Sequence, residues 1–237
     1  LYQRFLDEAL ENPVLNQFVV ELNSAVQLDR RAVDRLTQVL VAGKVEIWRF
    51  RYLASGRTSD ALHGRDLADL LGHIARQPGG FEVAVEILHM RFYSDRTDQR
   101  AHDAELLDVG RMLLARVKFN KHEQDGNYAI AEIARISLGG LGGASSAALL
   151  AKRLRGAIER NRTYGFENDE LVSVLLGVHP LPVLDALFEG ATDKNLGGID
   201  VFRHSHDHSA NPADQITSED LVTWCCADAA TRFPLAA

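Results

Sequence analysis

The sequence predicts an all-α protein, a right-handed superhelical stack of helical hairpins. Three observations lead there. Apolar residues recur at i, i+3, i+4 and i+7 in one stretch after another, the stripe of a single helix face. The strict apolar/polar alternation of a half-buried strand hardly occurs. The helical stretches come in pairs with a period of about 40 residues, which is how stacked two-helix units read in sequence.

The 237 residues carry 26 Lys and Arg against 33 Asp and Glu, a net charge of −7, with 46% hydrophobic and 25% charged residues. These are the proportions of a folded protein, not of a disordered chain. A chain of this length buries roughly 70–75% of its unfolded surface, so it needs neither disulfide nor metal to fold. One helical domain over residues 1–237 is therefore expected. Every apolar run falls short of the ~18 residues that mark a membrane span. No basic segment followed by an apolar one opens the chain, so no secretion leader is expected. With only two cysteines, a reducing compartment and a cytoplasmic location are expected. The chain starts at Leu1 and stops at Arg232-Phe233-Pro234-Leu235-Ala236-Ala237, which reads as a fragment of a longer protein.

Taken in chain order, Asn12-Pro13 is an N-cap followed by proline at the first helical position. A first set of helices opens near Asp29, Asp66, Glu105 and Ala147, at spacings of 37, 39 and 42 residues. Their stripes include Leu67, Leu70, Leu71 and Ile74; then Leu106, Gly110, Leu113, Leu114 and Val117; then Ala147, Leu150, Ala151, Leu154 and Ile158. A second set lies between them over residues 45–54, 83–93 and 128–138. Gly43, Gly56, Gly79-Gly80 and Gly139-Gly140 follow periodic runs as stop signals. Leu171, Val174, Leu175 and Val178 form a further stripe behind Asn168, with Asp169 and Glu170 at the positive end of the helix dipole. The repeats are clearest over residues 28–190. Residues 192–217 read as an irregular polar loop, with a short strand or single turn allowed near Ile199-Asp200-Val201-Phe202. Thr217 and Asp220 have capping-box spacing ahead of a terminal helix over 218–233.

Runs such as Asp66-Leu67-Ala68-Asp69-Leu70-Leu71 and Ala104-Glu105-Leu106-Leu107 resemble HEAT- or armadillo-type α-solenoids, in period and pattern. Leu184-Asp185-Ala186-Leu187-Phe188 and Leu221-Val222-Thr223-Trp224-Cys225 resemble the helical C-terminal regions of large multidomain bacterial proteins. What the resemblance implies is a curved stack of hairpins that serves as a docking or sensing surface behind an NTPase or effector domain.

The charge is uneven. Residues 1–100 hold 13 basic and 14 acidic side chains, residues 101–162 hold 10 and 7, and residues 163–237 hold 3 and 12. The basic middle contains Lys152, Arg153, Arg155, Arg160 and Arg162, a candidate patch for an anionic partner. The plainer reading is a solvated helix face. The acidic last third argues against wrapping nucleic acid along the whole molecule.

Three further features carry chemistry in principle. His204, His206 and His208 alternate, so in an extended segment their imidazoles share a face, a donor set suited to zinc or nickel. The plainer reading is a solvated loop without a cofactor. The run Gly139-Gly140-Leu141-Gly142-Gly143 before a helix has the look of a phosphate cradle, but it lacks the Lys of a P-loop and follows a helix; a hairpin turn is expected. Cys225 and Cys226 are adjacent and flanked by Asp220 and Asp228, so core packing of at least one of them beside Trp224 is expected rather than reactivity. Trp48, Arg49, Phe50, Arg51 and Tyr52 interleave aromatic and basic residues; Trp48 and Tyr52 share a helix face at i, i+4 and are expected to fill core and groove, with a stacking surface as the alternative. The other histidines, at 63, 73, 89, 102, 122 and 179, are scattered, and no catalytic motif accompanies them. The function expected is a non-catalytic protein-interaction or sensing module of a larger bacterial protein, its partner a protein or other domains of the same chain. The alternatives are a metal-binding protein using the three loop histidines and a nucleic-acid-binding helical repeat.

Overall fold

A computed structural model describes residues 2–120, 127–190, 199–202 and 211–236. The described residues are all-α and include no strand. Contacts gather the chain into two compact units, Leu1–Leu113 and Leu114–Ala237.

In the first unit, helices α1 (Tyr2–Glu11), α2 (Val19–Ser24), α3 (Arg30–Val41), α4 (Gly64–Arg76) and α5 (Gly80–Thr97) follow one another, and α6 (Ala104–Leu114) begins at its end. Asp29 caps α3 as its position predicts, its carboxylate accepting the Ala32 N–H at 2.9 Å. The stripe Leu67, Leu70, Leu71 and Ile74 is fully buried, as are Ile87, Leu88 and Phe92 on α5. α4 packs on both α3 and α5.

Two expectations fail in this unit. The pattern predicts a regular helix over residues 45–54, but Ile47–Ala54 is a 3-10 helix. At three residues per turn the shared face is Ile47, Phe50 and Leu53, with Phe50 and Leu53 buried. Trp48 and Tyr52 therefore point outward, 51% and 44% exposed, instead of filling core and groove. The Arg49 guanidinium lies 5.0 Å from the Trp48 ring and 5.2 Å from Phe18. The local reason is composition: Ile-Trp-Arg-Phe-Arg-Tyr holds β-branched and aromatic residues that gain little from the α form. Likewise Asn12 caps, but it caps only a turn. Its side chain accepts the N–H groups of Val14 and Leu15 at 2.9 and 3.1 Å, and regular helix begins at Val19.

Buried charge ties the loops of this unit to its helices. Arg91, almost fully buried on α5, donates to the Ser59 and Leu62 carbonyls at 3.0 Å each, to Asp95 at 3.1 Å and to Asp103 at 3.3 Å. Asp95 also takes Arg100 at 3.1 Å and faces the His102 ring at 3.4 Å. Arg35 likewise joins α3 to Asp7 on α1 and Asn23 on α2. Such ions are tolerable inside only because every one has partners.

In the second unit lie α7 (Asn127–Ser137), α8 (Ala144–Glu159), α9 (Asp169–Val178), α10 (Pro180–Phe188), α11 (Ser218–Ala227) and α12 (Ala229–Ala236). α7 packs on α9 and α8 on α10. The predicted stripes on α8 and α9 are buried at Ala147, Leu150, Ala151, Leu154, Leu171, Val174 and Leu175. Asn168 does not cap α9. Its amide turns back to Thr163 Oγ1 and the Tyr164 carbonyl at 3.1 and 2.8 Å, because a 3-10 turn over Phe166–Asn168 runs straight into the helix. Thr217 does cap α11, its hydroxyl accepting the Asp220 N–H at 3.0 Å. Of the predicted loop, Ile199–Phe202 is a single 3-10 turn. Its Val201 is buried and its Phe202 stacks 6.2 Å from Phe188.

The glycine run between α7 and α8 is a turn. Gly140 has φ +75°, and a Cβ at Gly143 would stand 1.9 Å from the Leu138 carbonyl oxygen, whereas one at Gly142 would meet open space. Gly143→Ala is expected to lower stability by at least ~1 kcal/mol and Gly142→Ala to change it little, as read by urea denaturation. Equal effects at the two positions would contradict this turn.

Candidate functional site

The five basic residues singled out on and after α8 do not share one surface. Successive residues of an α-helix turn by about 100°, so Arg153 and Arg155 leave α8 on nearly opposite sides. Arg153 donates to the backbone carbonyls of Leu114, Ala115 and Val117, at 3.3 and 2.6 Å for the first two. Arg155 donates to the Glu189 carbonyl at 2.6 Å and to Glu159 at 2.7 Å, beyond the C-terminal end of α10. Both arginines thus satisfy carbonyls at or just beyond helix ends that would otherwise need water. Lys152 sits on the Arg155 side, its Nζ 2.6 Å from Glu189 Oε2. That contact, a hydrogen bond plus the ammonium charge, holds the Glu189 carboxyl below the usual glutamate range.

Arg160 and Arg162 end on the side of Arg153. With Lys118, Phe119 and Ala157 they line a recess of about 320 Å³ in the second unit. The structure brings Arg153, Arg160 and Arg162 together and sets Lys152 and Arg155 apart. Lys118 has no spacing relation to the α8 residues, and only folding places it there.

A second concavity, of about 610 Å³, lies among α8, α10, α11 and α12. Leu149, Pro182, Phe188, Trp224 and Leu235 supply its apolar lining. Leu149 is 51% exposed, whereas Trp224 is buried with its ring 5.5 Å from Phe188. Asp185 accepts the Trp224 indole N–H at 2.8 Å and the Arg232 guanidinium at 2.9 Å, and Arg232 lies over the Trp224 ring at 5.0 Å. Four charged groups on this rim pair off, Lys152 with Glu189 and Arg232 with Asp185, and Asp228 also lines it. Of the sequence signals, only the capping box and the apolar phrases on α10 and α11 pointed toward this region.

The remaining candidates are dispersed. His204, His206 and His208 lie outside the described residues, and so does His122. Among the described residues no group of three or more His, Cys, Asp or Glu is placed to hold a metal ion. His179 bridges α9 and α10, its Nε2 2.7 Å from the Leu138 carbonyl oxygen. His102 packs edge-on against Phe92 at 4.9 Å. Cys225 is buried beside Trp224 and Cys226 is exposed, both as free thiols. The Glu170 carboxyl is pushed up, chiefly by burial and also by the Glu132 carboxylate, with Arg135 pulling the other way. No described helix is long and apolar enough to cross a membrane.

Comparison with protein-family models, with curated proteins and with solved structures finds no match to this chain.

Two substitutions check this account of the charged groups. Arg153→Met removes donors from three carbonyls and is expected to cost about 1–3 kcal/mol, while Arg162→Met stays within about 0.5 kcal/mol of the parent by thermal or urea unfolding. Glu170 has a raised folded pKa, so its ionised form is disfavoured in the fold and the penalty grows as pH rises from the unfolded value through the folded one. Glu170→Gln is accordingly expected to be stabilising at neutral pH and to lose that advantage in acid. A constant difference across pH would contradict the assignment.

Proposed function

We propose that this chain is a non-catalytic interaction module of a larger protein, a stack of helical hairpins that offers a groove to a protein partner. The hairpin stack is supported by which helices touch. In the first unit α3 meets α4 while the 3-10 helix Ile47–Ala54 meets α5; in the second, α7 meets α9 and α8 meets α10. Pairing of alternate elements is what two layers of repeated hairpins produce, each covering an apolar face its neighbour cannot bury alone.

The observation that carries the functional reading is the groove among α8, α10, α11 and α12. It combines exposed apolar area at Leu149 with a buried indole anchor and a rim whose Lys152–Glu189 and Arg232–Asp185 charges already neutralise one another. General acid or base work needs a titratable group poised to exchange a proton with a bound molecule. Paired charges round an apolar floor instead suit surface complementarity, with the centre giving affinity and the rim specificity. A cytoplasmic setting and a sensing role within a multidomain protein belong to the same proposal.

A photo-cross-linking amino acid placed at Leu149 in the full-length protein, in its native cells, tests it. The expected result is one dominant protein adduct, absent when the cross-linker stands instead at the solvent-facing Arg31 of α3. Identical adduct patterns at the two positions, or none at Leu149, would overturn the reading.

A further inference from the structure

We propose that the recess beside the C-terminal end of α8 binds a small, multiply charged phosphate anion. Lys118, Arg153, Arg160 and Arg162 line it and, among the described residues, no carboxylate does, in a chain whose net charge is −7. Elsewhere in the second unit the arginines of α7, α8 and α12 that lie outside this recess pair with acids, as Arg135 does with Glu132, Arg155 with Glu159 and Arg232 with Asp185. Lys118, Arg160 and Arg162 have no such ion-pair partner among the described residues.

The local backbone does not need these three charges. α8 closes through Asn161, whose φ of +54° lets its own N–H bond the Ile158 carbonyl at 2.8 Å and lets the Arg162 N–H bond the Ala157 carbonyl at 2.9 Å. That double bond pattern satisfies the last carbonyls of the helix by main chain alone. Arg160 and Arg162 flank this left-handed residue and line the same recess. Gly156 leaves room for one of them: a Cβ there would stand 3.1 Å from Arg160 Nη2. Arg153 forms the fixed wall, its guanidinium held by the carbonyls of Leu114, Ala115 and Val117.

Guanidinium forks match the oxygens of a phosphate and bind them in pairs. Four positive charges in one concavity suit more than one phosphate group. The volume of about 320 Å³ is that of a small-molecule pocket at the lower end of the usual range, roughly 300 Å³. Phe119 adds an aromatic wall against which an attached base or ring can lie. A long nucleic-acid strand fits less well, because residues 163–237 hold 12 acidic and only 3 basic side chains that would repel it. The recess stands apart from the groove proposed for a protein partner, so either site can fail without the other.

Isothermal titration of the whole protein with inorganic tripolyphosphate at low salt tests the proposal. One saturable site is expected, weakening as salt is added. Replacing both Arg160 and Arg162 with Gln is expected to weaken binding roughly tenfold or more, each change removing a charge-assisted hydrogen bond. Lys152→Gln, on the other side of α8, is expected to leave it within about twofold, a surface charge too far away to matter once screened. Circular dichroism melts establish that each variant is folded, with Lys118→Gln replacing the double variant if that one is not. Absence of a saturable site, equal weakening in the Lys152 and arginine variants, or tighter binding of a single-stranded oligonucleotide or a poly-glutamate peptide than of tripolyphosphate would overturn it.

Discussion

The structure depends on the mutual burial of apolar stripes between helices packed side by side. Each stripe is too wide for water and too narrow to cover itself, so a helix such as α4 is stable only between its neighbours α3 and α5. Leu67, Leu70, Leu71 and Ile74 are all fully buried. At roughly 1.5–3 kcal/mol for each large aliphatic side chain removed from water, such a face outweighs any helix propensity the segment has. The same logic holds in the second unit, where α8 and α9 bury Leu150, Leu154, Leu171 and Leu175 against α10 and α7.

Once the stripes fix the helices, polar groups at and beyond their ends need partners, and arginine supplies several of them. Arg91 holds the Ser59 and Leu62 carbonyls, Arg153 those of Leu114, Ala115 and Val117, and Arg155 that of Glu189. A guanidinium has five N–H donors in a planar fork, which is why one side chain can serve several carbonyls at once. Much of the basic character of the chain is therefore structural. Among the described residues, Lys118, Arg160 and Arg162 hold no such carbonyl and line one recess. In the other groove the Lys152–Glu189 and Arg232–Asp185 pairs offset each other beside the apolar lining.

How far the sequence could be read follows from which signals are local. Helical stripes, the Asp29 and Thr217 caps and the glycine turn before α8 depend on neighbours a few residues away, and each is found where its pattern puts it. Ile47–Ala54 differs from its pattern because periods of 3.0 and 3.6 differ little over eight residues; the choice rests on packing against α5. Asn12 and Asn168 have cap chemistry, but whether a helix follows is set by tertiary contacts that spacing does not encode. The candidate sites were least legible. Arg153 and Arg155 look alike in sequence and act on opposite sides of one helix. Lys118 meets Arg160 only through the fold. The Trp224–Asp185–Arg232 group joins residues 39 and 47 positions apart.

Amide hydrogen exchange mapped along the whole chain tests most directly whether buried stripes hold the molecule together. Exchange should be slowest in the parts of α4, α5, α8 and α9 that carry Leu70, Leu88, Leu150 and Leu175, approaching the rate set by global unfolding. It should be fast in α12 and in the 3-10 turn at Thr58–Ala61. Protection concentrated at the charged clusters around Arg91 and Arg153, with the striped helices exchanging quickly, would contradict that.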